Sequence, residues 1–128
     1  MIVIDASAAA ELLLQTDTGV DVSARLGGEE LHAPCHFDIE VVGVVRRAVA
    51  RQLLSDRDGL VVLSEFMVLP VRRWPITPLL ERAYSLRATH SVADAAYVAL
   101  AEGLGATLLT CDARLTASHG HDARIELP

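Results

Sequence analysis

Short apolar runs alternate with longer segments of helical period along the whole chain. The runs typical of strands lie at residues 2–5, 30–33, 69–73, 107–110 and 123–127. Between them, apolar positions spaced for one helix face predict helices at 8–15, 18–26, 37–54, 57–68, 78–87, 92–103 and 113–118. This alternation favours an α/β sandwich around a central, mainly parallel sheet. Because no repeat or linker interrupts the pattern, we expect a single domain over residues 1–128.

Composition narrows the class of protein and its location. Hydrophobic residues make up 52% of the chain, yet no apolar run approaches the roughly 18 residues that a membrane span requires. The first residues, from Met1 to Asp5, read as a strand, and they lack the basic start and long apolar stretch of a secretory signal. We therefore expect a cytoplasmic protein that does not contact a membrane.

The charged residues give two opposing indications about whether the protein binds nucleic acid. A formal net charge of −6 argues against general, nonspecific binding to nucleic acid or anionic membranes. All 11 basic residues are Arg, however, and the guanidinium group is suited to bidentate contact with phosphate. Solvated helix faces explain most of these arginines equally well. The arginines are thus compatible with a phosphate ligand but do not establish one.

Acidic residues follow two of the predicted strands. Asp5 closes the run from Ile2 to Ile4, and Asp112 follows the run that ends at Cys111. Parallel sheets bind ligands beyond the carboxyl ends of their strands, where strand order reverses, and neighbouring strands are only about 5 Å apart. If the strands that carry Asp5 and Asp112 are neighbours, the two carboxylates repel each other, which would raise one pKa or require a cation between them. Hard oxygen ligands of this kind select Mg²⁺ or Mn²⁺.

Each candidate acid also has a simpler explanation. Asp5 and Asp94 both stand where they can support the start of a helix, and Glu40 shares a helical stripe with two arginines that is typical of a solvated face. The segment 95–101, however, carries no polar break, so Asp94 is expected to head a helix that is buried on nearly all sides. A carboxylate in that position needs a partner, and a metal ion would be one.

Four segments of the chain together resemble the motifs of PIN-domain nucleases. They are IVIDASA at 2–8, IEV at 39–41, ADAAYVALA at 93–101 and LLTCDARL at 108–115. In order and spacing they are similar to the VapC toxins of type II VapBC toxin–antitoxin pairs, from Met1 to about Leu115. The resemblance implies a PIN-like α/β/α sandwich with a central, mainly parallel sheet. It also implies a metal-dependent endoribonuclease that acts as the toxin of such a pair.

The resemblance assigns roles to individual residues. The acidic quartet that it makes catalytic consists of Asp5, Glu40, Asp94 and Asp112. Within the quartet, Asp5 and Asp94 correspond to direct ligands of Mg²⁺, with Mn²⁺ as the alternative ion. The hydroxyls of Ser7 and Thr110 would orient these carboxylates or water on the metal. Some PIN nucleases carry a further acid after the fourth, but residues 113–116 supply none, so one well-populated metal site is expected.

Hydrolysis of an RNA phosphodiester by a metal-activated water also requires a base and contacts to phosphate. Glu40 and Asp112 are both candidates for the base. Arg47, Arg51 and Arg114 are candidate phosphate contacts. The choice of RNA as substrate follows from the resemblance alone.

A toxin of this family implies a cognate VapB-type antitoxin. The apolar residues between 60 and 69 give one short helix more apolar surface than a single buried face requires. An antitoxin helix or the second half of a homodimer would cover that surface, unless the helix is sandwiched within its own domain.

The alternative function is a noncatalytic protein- or RNA-binding module on a PIN scaffold. In that case the acids would serve only as helix caps and salt-bridge partners. Acids at all four positions count against it. A phosphoacceptor receiver domain also gathers acids at strand ends, but its chemistry requires a Lys, and the chain has none.

Overall fold

In the computed structural model, which describes residues 1–128, all strands belong to one parallel sheet. The strands are β1 (Ile2–Ile4), β2 (Leu31–Pro34), β3 (Val71–Trp74), β4 (Thr107–Leu109) and β5 (Arg124–Glu126). Their order in the sheet is β3-β2-β1-β4-β5. The chain runs from β1 outward to β3 and then crosses back to β4 on the other side of β1. Strand order therefore reverses between β1 and β4, which is where ligands bind in open parallel sheets.

Helices connect the strands and cover the sheet. They are α1 (Ala6–Leu13), α2 (Asp17–Leu26), α3 (Phe37–Ala50), α4 (Asp56–Val68), α5 (Leu80–Ser85), α6 (Val92–Leu104) and α7 (Ala113–Thr116). Helices α1 to α4 pack on one another, and α5 packs on α6. Since crossovers between parallel strands are right-handed, the two groups lie on opposite faces of the sheet. The predicted sandwich is confirmed. None of the helices has the length and apolar character needed to cross a membrane.

Four helices differ from the prediction by more than one residue, and one of them, α7, ends at Thr116 rather than at 118. Helix α1 begins two residues early because Asp5 caps it with its side chain. Helix α3 ends at Ala50 rather than at 54, since Gln52 has a left-handed backbone (φ 60°) that no α-helix accommodates. The segment predicted as one helix at 78–87 is instead a 3-10 turn, Thr77–Leu79, followed by the six-residue α5.

The centre of the core is formed by β1, β4 and α6. The side chains of Ile2–Ile4, Leu108 and Leu109 are at most 1% exposed, as expected for parallel strands with helices on both faces. Helix α6 lies against β1, β2 and β4, and every residue from Ala95 to Ala101 is buried, as predicted. Because α6 leads directly into β4, its first turn lies at the carboxyl edge of the sheet.

Helices α1 and α2 approach each other closely at Gly19. A Cβ atom at Gly19 would lie 2.1 Å from the backbone oxygen of Glu11, a distance that no side chain tolerates. Glycine is therefore required here for steric reasons, and the close packing of α2 supports the helix that Asp5 begins.

Candidate active site

Asp5 lies at the carboxyl end of β1, and three donors surround its side chain. The backbone N–H of Ala8 (2.9 Å) and the Ser7 hydroxyl (2.6 Å) donate to Oδ1. The Thr110 hydroxyl donates to Oδ2 at 2.5 Å. Asp5 is only 6% exposed. Burial raises the pKa of this carboxyl above its ordinary value in spite of the hydrogen bonds, and the negative charge of Asp94 raises it further.

The hydroxyls of Ser7 and Thr110 also connect the ends of β1 and β4. The backbone N–H of Cys111 donates to Ser7 Oγ at 2.9 Å, and the N–H of Asp112 donates to Thr110 Oγ1 at 3.0 Å. The two hydroxyl oxygens are 3.3 Å apart. Ser7 and Thr110 thus fix the Asp5 carboxylate and the backbone that leads to Asp112 in one hydrogen-bonded unit.

Asp112 caps the short helix α7 and is paired with Arg114. The Arg114 guanidinium donates to both carboxylate oxygens, with Nη2 at 2.6 Å from Oδ2 and Nε at 3.0 Å from Oδ1. The hydrogen bonds from Arg114, together with its positive charge, hold the pKa of Asp112 below its usual range. Arg114 itself is largely exposed. The arginine predicted as a phosphate contact therefore lies beside the fourth acid.

Glu40 lies in the first turn of α3 and contacts two aromatic side chains. The Tyr97 hydroxyl donates to Glu40 Oε1 at 2.8 Å, and His36 Nε2 lies 3.1 Å from the same oxygen. Burial alone would raise the pKa of Glu40. The hydrogen bonds from His36 and Tyr97 outweigh it, so the pKa is lowered and the carboxylate is ionised at neutral pH.

Asp94 stands in the first turn of α6, half-buried, and its backbone N–H is capped by the hydroxyl of Ser91. Together with Asp112, Arg114 and His90 it lines a cleft of about 270 Å³. Its charge acts on Asp5 and on Arg114. Asp94 therefore acts electrostatically on residues that follow both β1 and β4.

Asp5 and Asp112 follow β1 and β4. Asp94 acts on Asp5 through its charge, and Glu40, which follows β2, is joined to α6 through Tyr97. As the side chains stand, no three His, Cys, Asp or Glu groups are placed to bind one metal ion. Asp5 and Asp94 remain a pair of interacting oxygen donors. Arg47 lies farther along α3, Arg51 directly follows the end of this helix, and both are exposed. The Arg47 guanidinium folds back over Gly43, within 3.5 Å of where a Cβ atom would be, and thus extends towards Glu40.

Sequence reasoning missed His36 and Tyr97. Both could have been found from helical spacing, because Tyr97 follows Asp94 by three residues and His36 precedes Glu40 by four. Residues so spaced share a helix face. Neither assignment was made because Tyr97 reads as part of an apolar helix and the histidines show no spacing typical of metal ligands.

A parallel sheet with the strand order β3-β2-β1-β4-β5, and with acids beyond the reversal of that order, is typical of nucleases of the PIN class. The family model described as "PIN domain" matches residues 2–118. Ribonuclease VapC12 of Mycobacterium tuberculosis is 65% identical over 127 residues, covering 99% of this chain and 98% of the relative. The chain therefore belongs to the PIN-domain family and, within it, to the VapC ribonucleases. The family predicted from the sequence is confirmed.

Two solved structures show the same fold at low sequence identity. M. tuberculosis VapC20, described as a sarcin-ricin loop cleaving toxin, has a TM-score of 0.69 at 19% identity, covering 91% of this chain and 94% of that one. VapBC2 of Rickettsia felis, bound to promoter DNA, has a TM-score of 0.71 at 12% identity, covering 99% of this chain and 98% of that one. Both comparisons support the α/β/α sandwich.

Proposed function

We propose that this VapC ribonuclease hydrolyses RNA phosphodiesters in a Mg²⁺-dependent reaction at Asp5, Glu40, Asp94 and Asp112. The observation that carries the proposal is the buried Asp5 carboxylate, whose pKa is raised by burial and by the charge of Asp94. A cation stabilises the ionised form of a buried carboxylate that lies near a second negative charge. The whole chain would act as one PIN domain, since β5, beyond the region matched to the family, completes the same sheet.

The donor set fits a hard divalent cation. Mg²⁺ is commonly held by one or two carboxylates while water completes its coordination, so Asp5 and Asp94 suffice as direct ligands. Mn²⁺ prefers the same oxygen donors. When bound, the ion would supply a water of lowered pKa and stabilise negative charge on the phosphate. Ser7 and Thr110 would hold Asp5 in a fixed orientation for that purpose.

Glu40 is better placed than Asp112 to act as the base. Both oxygens of Asp112 accept hydrogen bonds from Arg114, whereas Glu40 engages the protein through Oε1 and leaves Oε2 free. An ionised carboxylate with one free oxygen can accept a proton from an attacking water. Of the two candidates that the sequence leaves open, the geometry therefore favours Glu40.

The arginines near the acids supply positive charge for a polyanionic substrate. Arg114 is exposed at the mouth of the cleft, Arg47 lies farther along the helix that carries Glu40, and Arg51 directly follows the end of this helix. We propose all three as contacts to RNA phosphates. Since RNA is the substrate, we place the action of the protein in the cytoplasm.

The partner proposed is a VapB-type antitoxin that covers an apolar groove between α3 and α4. The groove encloses about 740 Å³ and is lined by Val42, Leu60, Leu63 and Met67, among others. Leu60 is 67% exposed and Met67 71%, so α4 is not sandwiched within its own domain. Exposed apolar surface of this kind is typical of sites that receive an amphipathic helix. We further propose a homodimer, which light scattering of the purified chain would establish.

RNA cleavage by purified protein tests the proposal. The wild-type chain should cleave RNA with Mg²⁺ and lose activity when a chelator removes the ion. Asp94→Asn should abolish cleavage, whereas Asp21→Asn, which removes an exposed acid on α2, should retain it. A noncatalytic module on a PIN scaffold, in which Asp5 and Asp112 only cap helices, predicts no turnover for any of these proteins.

A further inference from the structure

Glu40 is held to the protein through one oxygen only. Tyr97 and His36 both contact Oε1, at 2.8 Å and 3.1 Å, while Oε2 has no hydrogen-bond partner and the side chain is 35% exposed. A carboxylate that rotates freely would present either oxygen to solvent. Two contacts to a single oxygen remove that freedom and leave the second oxygen in a defined position.

His36 joins the two helices that carry Glu40 and Asp94. Its Nε2 atom lies 3.0 Å from the carbonyl oxygen of Ala93, the residue before Asp94. Since both neighbours of Nε2, the Ala93 carbonyl and Glu40 Oε1, are acceptors, this nitrogen must carry the proton. Its other ring nitrogen, Nδ1, is buried without a partner. The orientation of the ring is therefore set by Nε2 and by packing on Tyr97, at 4.7 Å between ring centroids.

Tyr97 donates its hydroxyl to Glu40 from the helix that carries Asp94. The residue lies one turn after Asp94 on α6 and is only 1% exposed. Burial raises the pKa of Tyr97 above its ordinary value, and the charges of Glu40 and Asp5 add to the effect. The hydroxyl thus remains protonated and can only donate to Glu40. Because it is partly buried, this hydrogen bond orients the Glu40 carboxylate as well as stabilising it.

We propose that His36 and Tyr97 are positioning residues for RNA cleavage, which hold Glu40 Oε1 against α6 and leave Oε2 free for the reaction. The inference rests on the proposed function and adds to it the residues that orient the base. Neither side chain touches the substrate. Their contribution is to the geometry of Glu40, because a carboxylate that is held in place loses less freedom when the transition state forms.

Substitutions that remove single contacts test this role. Tyr97→Phe deletes only the hydroxyl, and His36→Ala deletes the imidazole. Each should lower kcat by about 10- to 100-fold, as loss of groups that orient catalytic ligands usually does, with the KM for RNA unchanged. His36→Gln retains an N–H donor of similar reach and should restore most of the activity. Tyr84→Phe is the matched control, since Tyr84 is exposed and its hydroxyl makes no hydrogen bond.

A double-mutant cycle with Glu40→Gln distinguishes positioning from a separate effect. If Tyr97 acts through Glu40, Tyr97→Phe should cause no further loss of kcat in the Glu40→Gln background. Binding of Mg²⁺, measured by calorimetry, should persist in each variant because Asp5 and Asp94 are intact.

Three results would overturn the proposal. The first is full kcat in both Tyr97→Phe and His36→Ala. The second is an undiminished effect of Tyr97→Phe in the Glu40→Gln background. The third is a lowered melting temperature with kcat unchanged, which would indicate that these side chains only cross-link the two helices. If Tyr97→Phe does not fold, the comparison of His36→Ala with His36→Gln decides the question. Failure of the proposed function is distinct, because the wild-type chain with Mg²⁺ would then cleave no RNA.

Discussion

The Thr110 hydroxyl donates a 2.5 Å hydrogen bond to Asp5 Oδ2 across the junction of β1 and β4. Asp5 and Thr110 follow strands that pair residue by residue, with Ile4 opposite Leu109. The parallel register therefore places the hydroxyl directly beside the carboxylate. A hydroxyl that donates to a buried carboxylate favours its ionised form.

Removing this hydroxyl should change the pH dependence of cleavage. Thr110→Val deletes the donor at nearly constant volume, so the pKa of Asp5, already raised by burial, should rise further. Cleavage requires ionised Asp5, and the acidic limb of the rate profile should shift to higher pH. Metal affinity should fall by about 10- to 100-fold. Rate profiles and calorimetry measure both effects. Thr18→Val, at an exposed position on α2, should change neither.

Asp5→Asn should separate activity from stability. A carboxyl whose folded pKa is raised above its unfolded value contributes stability that is present below the unfolded pKa and lost as pH rises through the folded pKa. At neutral pH, Asp5→Asn should therefore increase the free energy of unfolding, while RNA cleavage is lost. Urea denaturation at acidic and neutral pH measures the difference, which should vanish at low pH.

Asp5→Ala provides the contrast. It removes the charge but also the cap that accepts the Ala8 N–H, and loss of a cap costs about 1 kcal/mol. Asp5→Ala should accordingly be less stable than Asp5→Asn. A melting transition that collapses in Asp5→Asn as well would show that Asp5 serves to hold helix α1.

Two glycine substitutions should change stability in opposite directions. Gly19→Ala places a Cβ atom 2.1 Å from a backbone oxygen, and overpacking of this kind costs about 1–3 kcal/mol. Gly103 lies in α6 with open space around its Cβ direction. Gly103→Ala should stabilise the protein by about 0.5–1 kcal/mol through helix propensity. Thermal unfolding of both variants checks the pair, and equal changes would contradict the close approach of α1 and α2.

A charge in the groove between α3 and α4 should weaken antitoxin binding and leave RNA cleavage unchanged. Leu60→Asp introduces a carboxylate into the apolar lining and should weaken antitoxin binding by roughly tenfold or more, as for an anchor residue at an interface. RNA cleavage by the isolated toxin should be unchanged. Leu53→Asp, at a similarly exposed leucine outside the groove, is the control. Equal binding by both variants would place the antitoxin on another surface.

The sequence predicts the sheet well because its strands are short apolar runs with clear ends. Asp5 and Asp112 could be placed together only on the condition that their strands are neighbours, because each acid closes such a run. The structure shows that β1 and β4 do pair. Glu40 and Asp94 were found through the family resemblance, since a helix cap or a solvated face explains either acid alone. The pairing of Arg114 with both oxygens of Asp112 could not be predicted, because it depends on the rotamer of an exposed side chain.

The roles of His36 and Tyr97 could not be predicted from the sequence for a different reason. Their contacts join α3 to α6 across 57 positions of sequence, and only the packing of the two helices reveals which faces meet. The end of α3 was overestimated because Gln52 carries no sequence signal for its left-handed conformation. Residues with that backbone are usually Gly or Asn.

The reversal of strand order at β1 also bears on when the enzyme can become active during its synthesis. Asp5 is translated before β2 and β3, but the neighbour of its strand in the sheet, β4, is made only after both are complete. Translation adds about 5–20 residues per second, and the N-terminal part of a chain begins to fold first. A nascent chain can thus pair β1 with β2 and β3 while it still lacks Thr110 and Asp112. The proposed active site is thus assembled only after β4 has been made, so the chain should stay inert until Asp112 has been translated.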